Sequence, residues 1–438
     1  MAGQTEKGRF IDILSNRNFM FLWGSQILSQ LATQILSFAL IVEVFRLTNS
    51  STAVGGLVVF FAIPSFIFAA LAGVVADRFS RKGILAVSNL LRGLIIFVLL
   101  LPLLKFLPAI YGFAFLMAAA TQFFMPAEAA SIPSLVPKKN LLLANSLFLV
   151  TMYGSMVLGY TAAGPLLLLI GIKSVVIMVG IAFVLALLFN LLIFSKNLLP
   201  EQFIKKIYHG FWKELRDGWK EVRSDKRIFH PLLHLSAVWA LVGMLFVLMP
   251  SFSKEVLGTT IESASVTFIA PAGIGMVLGV IVLAWLQKVV RLEVLLIWGF
   301  VAAGILIGIL AGYQPLKDLI SNTAFYIDHI NLFDKVSIRP LAIVIAVLIG
   351  LAGAFIMVPS QTLLQTYTSE EMRGRVFGFL NMFIAIAGSV PVFIAGALAD
   401  LIAVDNAMLI IGALAVFYGV IEWFVFARRP LSKVLHRA

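Results

Sequence analysis

The sequence predicts an all-α integral membrane protein whose twelve transmembrane helices form two pseudo-symmetric six-helix halves, and three observations lead there. Of its 438 residues, 61% are hydrophobic and only 12% charged, against roughly 45 to 50% and about 25% in soluble domains. The apolar residues gather into twelve segments, each of about 20 residues or more, the length at which a helix crosses a bilayer. The cations separate to alternate connections between those segments, which is the pattern that sets membrane orientation.

In chain order the first six segments lie near 18–46, 53–76, 83–105, 108–130, 141–171 and 174–195. Six more follow near 232–256, 265–288, 293–312, 340–367, 374–402 and 406–427. They are too continuously apolar to be the alternating strands of an outer-membrane barrel. Residues 1–18 lack the basic stretch, short apolar core and small-residue cleavage site of a signal peptide, so the first segment reads as a retained span.

With the N-terminus in the cytoplasm, 25 Lys and Arg fall on the inner side and seven on the outer side (Arg46, Lys105, Lys173, Lys254, Lys317, Lys335 and Arg339). Arg92 alone lies inside a helix. This places both termini in the cytoplasm and the protein in the cytoplasmic membrane. The formal charge of +12 is thus an orientation signal, and nucleic acid is not needed as a partner. With no cysteine, disulfides and thiolate metal sites are excluded. No metal and no cofactor is expected, and the five histidines read as lying at loops or segment ends.

The charged stretch 197–230 divides the chain into an N-terminal half (1–196) and a C-terminal half (231–438). Ile204, Ile207, Phe211, Leu215 and Val222 recur there at helical spacing among cations, as expected of a cytoplasmic amphipathic linker on an anionic leaflet. A second long connection, 314–339, is external and charge-balanced. A shift of 233 residues sets Pro126 over Pro359, Glu128 over Gln361, Ser155 over Gly388 and Ala163 over Gly396, the register expected of a duplicated six-helix unit.

The turn after the second segment reads Gly73-Val74-Val75-Ala76-Asp77-Arg78-Phe79-Ser80-Arg81-Lys82. Gly73 would let helices approach closely, Asp77 would face a helix N-terminus, and the three cations would bridge to carboxylates or lipid phosphates. This element resembles the signature loop of the major facilitator superfamily, Gly-x-x-x-Asp-Arg-x-Gly-Arg-Arg/Lys, with Ser80 in place of the inner glycine. Residues 16–34, 133–147 and 369–379 resemble the drug, macrolide and siderophore efflux branch, and the resemblance covers nearly the whole chain. It implies that Glu370 or Glu371, with Arg373 and Arg375, forms a second conformational latch. In the fifth segment Gly159, Gly164 and Pro165 resemble the exporters' helix-bending motif, although Tyr160, Leu168 and Leu169 depart from it.

Charges inside a membrane are functional candidates by default. Arg92, Glu128 and Glu422 are the coupling candidates, Arg92 needing a partner and Glu128 being the nearer in sequence. The acidic residue that relatives carry in the first helix is replaced by the run from Ser29 to Gln34, and the fourth helix lacks their basic element. In the superfamily fold the first, fourth, seventh and tenth helices surround the substrate. The polar residues there (Gln30, Thr33, Gln34, Gln122, Gln361 and Gln365), together with Trp239, imply an amphipathic substrate met by few charges.

The resemblance therefore implies a monomeric secondary transporter exporting drug- or siderophore-like molecules by alternating access, with protons as the coupling ion. A lysophospholipid or small-molecule importer or flippase of the same fold, and a non-transporting receptor or scaffold, are the alternatives. An enzyme is not expected, since no HExxH, GxSxG or clustered carboxylates occur. An ATP-driven pump within the chain is excluded by the missing phosphate-binding loop.

Overall fold

A computed structural model describes residues 10–100, 102–193, 219, 222–313, 338–369 and 373–427. Among them there is no strand. The contacts gather into two units, one of residues Met1–Gly210 with Ile261–Val266 and the other of Phe211–Thr260 with Thr267–Ala438.

The first unit contains α1 (Phe10–Leu14), α2 (Arg17–Thr48), α3 (Ser51–Arg78), α4 (Arg81–Leu99), α5 (Leu107–Leu135) and α6 (Leu141–Leu191). Polar residues begin three of these helices. Asn16, Ser50 and Ser80 accept from the backbone N–H groups of Phe19, Ala53 and Gly83, meeting donors that a helix start leaves open. Asn49 ends α2 in a left-handed conformation (φ 48°), a geometry asparagine tolerates better than most residues.

The second unit contains α7 (Lys226–Glu255), α8 (Ala270–Leu286), α9 (Leu292–Ala311), α10 (Ile338–Tyr367), α11 (Arg373–Ala387), α12 (Val390–Ile402) and α13 (Val404–Ala427). Eleven helical segments among the described residues are long and apolar enough to cross a membrane, one fewer than the sequence reading. The difference lies in α6, where two expected segments run together. A straight helix of 51 residues would be about 77 Å long at 1.5 Å per residue, more than twice the ~30 Å hydrocarbon core. The element is interrupted at Gly171, whose φ of 72° and ψ of 164° are open essentially only to glycine.

Pro126 and Pro359, which the internal repeat superposes, both sit inside long helices near the C-terminal end, in α5 and α10. The linker residues Ile204, Ile207, Phe211 and Leu215 lie outside the described residues, as do Gln314 to Ser337 of the second connection. Val222 is described, and it is buried rather than turned to a leaflet. With Trp219 it packs on Ile228, Leu232 and Leu235 of α7, Leu364 of α10, and Val376 and Phe379 of α11.

Candidate functional site

The turn between α3 and α4 is held by three backbone carbonyls and one hydroxyl. Arg81 Nη1 donates to Ala130 O (2.9 Å) and Ser134 Oγ (2.7 Å) in the last turns of α5. Lys82 Nζ donates to Leu191 O (2.8 Å) and Ile193 O (2.9 Å) at the end of α6. Lys82 therefore satisfies open carbonyls at the end of α6, Arg81 adds a carbonyl and a hydroxyl contact in the last turns of α5, and at both ends the helix dipole favours positive charge. Ser80, the departure from the signature, supplies the N-cap of α4.

The expected role of Gly73 is not met, because a Cβ placed there would have nothing within 4 Å. Arg78 is exposed. The side chain of Asp77 lies outside the description, as do Glu370 and Glu371 entirely and the side chains of Arg373 and Arg375.

Deeper in the unit, Arg92 on α4 is only 2% exposed. Its Nη1 donates to Asn89 Oδ1 (3.2 Å), one turn earlier on the same helix. Asn89 Nδ2 in turn donates to Ser25 Oγ on α2 (3.3 Å). The guanidinium carbon stands 4.5 Å from the ring centre of Phe124 on α5 and 5.7 Å from that of Phe183 on α6. Glu128, one turn beyond Phe124 on α5, is buried. The direct ion pair expected between Arg92 and Glu128 is not formed, since no described cation comes within 4.0 Å of Glu128 to make one. Glu128 Oε1 and Arg92 Nε and Nη2 are buried without hydrogen-bond partners. Asn89 and Ser25 were not anticipated as part of this group. Asn89 could have been found from the i, i+3 spacing that places it on the face of Arg92.

Gly159 and Gly164 serve close packing. A Cβ on Gly159 would stand 2.7 Å from Gln34 Cβ on α2. One on Gly164 would run into Ser265 Oγ and Glu262 O of the Ile261–Val266 segment, and Glu262 also forms an ion pair with Arg46 at the end of α2. The helix continues through Pro165 and loses helical geometry only at Gly171, so the break sits six residues beyond the expected bend.

Among the polar cavity candidates, Gln30, Thr33, Gln34 and Gln122 are half-buried in the first unit. The Thr33 hydroxyl donates to Ser29 O (2.7 Å) within its own helix, leaving its oxygen able to accept. In the second unit Gln361 is half-buried and Gln365 exposed, while Trp239 packs against the cluster of Val238, Leu296, Ile297, Phe300 and Ile356.

Glu422 on α13 faces two histidines of α7. His230 Nδ1 lies 3.6 Å from Glu422 Oε1, and His234 Nε2 lies 3.7 Å from Glu422 Oε2. His234 Nδ1 and Tyr418 Oη are 2.8 Å apart. Contrary to the reading of the histidines as loop or end residues, His234 is the ninth residue of α7 and is buried.

The sequence profile of the Major Facilitator Superfamily matches residues 22–333 and 329–437. The chain belongs to the major facilitator superfamily. Among its superfamily relatives is the uncharacterized transporter YfiS of Bacillus subtilis (strain 168), 25% identical over 414 residues and covering 93% of both chains. Macrolide efflux protein A of Streptococcus pyogenes is 21% identical over 416 residues, 92% of this chain and 94% of that one. The nucleoside transporter NupG shares the fold with a TM-score of 0.68 at 16% identity, over 94% of this chain and all of that one. A bacterial homologue of the iron transporter ferroportin does so with a TM-score of 0.70 at 14% identity, over 96% and 100%. As a superfamily member this is a multi-pass membrane protein built as a secondary transporter.

Within that superfamily frame, the sequence reading found the charges and missed what they meet. His230 and His234 are the clearest omission. Their i, i+4 spacing, which puts both rings on one helix face, was the available signal.

Proposed function

We propose that this protein exports amphipathic small molecules from the cytoplasm by alternating access, using protons as the coupling ion. The observation that carries this reading is the buried pair of opposite charges, Arg92 and Glu128, held near one another with unsatisfied polar atoms on both sides. A buried carboxylate without a partner costs several kcal/mol. Two events remove that cost: a proton on Glu128, or movement of the Arg92 guanidinium onto it. Because each event displaces the other, proton uptake and the arrangement of α4 against α5 become linked, which is what coupling requires.

Export is supported by the efflux function named for one relative, and the inward-positive charge distribution favours the cytoplasmic membrane with both termini inside. Substrate contacts are assigned to Gln30, Thr33, Gln34 and Gln122 in the first unit and to Trp239, Gln361 and Gln365 in the second. These residues carry no charge and are few, which suits an amphipathic molecule, whereas a sugar would call for more polar groups.

The test is uptake of a fluorescent amphipathic drug into everted vesicles under an imposed pH gradient. Glu128→Gln is expected to abolish gradient-driven accumulation while substrate-driven counterflow persists. Unchanged accumulation in that variant defeats the proton reading. Uptake confined to right-side-out vesicles defeats export.

A further inference from the structure

We propose that His230, His234 and Glu422 form a binding site for a divalent transition-metal ion of the zinc class, tying the start of α7 to the last third of α13. Nothing in the transport reading requires this site. One donor atom from each residue lies within 4.8 Å of the other two. Exposure of the three side chains is 19%, 7% and 12%, so the donors are withdrawn from bulk solvent.

The spacing distinguishes a metal from a shared proton. The two His-to-Glu distances, 3.6 and 3.7 Å, are too long for direct hydrogen bonds. They approach the roughly 3.3 Å that separates neighbouring donors in a tetrahedral shell with bonds of about 2.0 to 2.1 Å. Modest side-chain rotation brings the donors onto one ion, with Glu422 placed between the two imidazoles.

The surroundings also fit. His230 Nδ1 is buried and lacks a hydrogen-bond partner, as expected of a nitrogen whose partner is an ion. The other ring nitrogen of His234 is engaged by Tyr418. A proton on Nδ1, donated to that phenol oxygen, leaves the Nε2 lone pair directed at Glu422, the arrangement that orients and strengthens metal-binding histidines. Two imidazoles and one carboxylate suit Zn²⁺, Co²⁺ or Ni²⁺, whereas Mg²⁺ and Ca²⁺ prefer oxygen shells. Three protein donors also leave one tetrahedral position open.

The experiment is titration of purified, tag-free protein with Zn²⁺ against a chromogenic chelator, alongside visible absorption of the Co²⁺-loaded protein. One Zn²⁺ per chain is expected, with no binding of Mg²⁺ and a Co²⁺ spectrum of nitrogen and oxygen ligation at low coordination number. His230→Gln and His234→Gln should each weaken binding at least tenfold, and Tyr418→Phe, which removes only the orienting contact, about tenfold. Should a histidine variant fail to fold, Glu422→Gln and the Co²⁺ spectrum of the unaltered chain carry the test. Absence of stoichiometric Zn²⁺ binding, or full affinity retained in His230→Gln and Glu422→Gln, overturns the proposal.

Discussion

The guanidinium of Arg92 lies over the ring of Phe124, 4.5 Å from its centre, so the deepest cation of the first unit is held by an aromatic face where a carboxylate was expected. Such a contact is worth about 2 kcal/mol when desolvated, and it leaves Glu128 free to respond to a second ligand. Arg92→Met fills much of the same space but removes only one of the two buried charges and the donor to Asn89 Oδ1, and losing one member of a buried pair typically destabilises, by about 3 to 5 kcal/mol. The unfolding midpoint in detergent is expected to fall, and to recover in part when Glu128→Gln is added, while proton-driven transport in vesicles falls at least tenfold.

The contacts of Arg81 and Lys82 with the ends of α5 and α6 give a second prediction. Arg81→Ala removes two hydrogen bonds from a charged donor, worth about 1.5 to 3 kcal/mol in all, and should lower the unfolding midpoint measurably. Lys82→Ala should cost less, because Lys82 reaches its carbonyls from a more exposed position. The two changes touch different helices, so the double variant should show near-additive loss. Strong non-additivity in the same assay would show that the two ends are coupled.

Two glycines of motif-like elements should respond oppositely to alanine. Gly73→Ala meets open space and should stabilise by up to ~1 kcal/mol through helix propensity. Gly164→Ala drives a methyl group into Ser265 Oγ and Glu262 O, and overpacking of this kind typically costs about 1 to 3 kcal/mol. Melting curves of the two variants, taken under one condition, check both signs.

Asp225 caps α7 and hydrogen-bonds the Arg227 side chain (3.1 and 2.9 Å), which above all holds its carboxyl below the usual carboxylate range. A group whose folded value is depressed contributes stability above its unfolded value, near pH 3.9, and loses it as pH falls through the lower folded value. Asp225→Asn keeps an N-cap but removes that titration. The variant should be less stable than the parent near neutral pH, and the gap should close below about pH 4 when unfolding midpoints are compared across pH.

The limits of sequence reading show in particular residues. Arg92 was found because a single cation in a long apolar segment is conspicuous. Asn89 lies on the same face of the same helix and was equally within reach. Ser25, Phe124 and Phe183 come from three other helices, and no spacing along the chain reveals them. The signature turn is legible from its charges, yet three of the four acceptors that Arg81 and Lys82 meet are backbone carbonyls, which have no residue identity to read. The repeat aligned Glu128 with Gln361, and that alignment could not tell that Glu128 would lack a direct cation partner.

What the sequence by itself determined is which segments are long and apolar enough to cross the membrane. Insertion depends on the length and apolar content of each segment and on the cations flanking it, all of which are local properties. Only the tertiary structure decided which polar groups meet. Helices already in a bilayer gain little from hydrophobic association, so their packing follows small residues, shape and a few long-range polar contacts. Gly164 against Ser265, Lys82 against Leu191, and His234 with Tyr418 and Glu422 are contacts of that kind, each joining residues far apart in the chain.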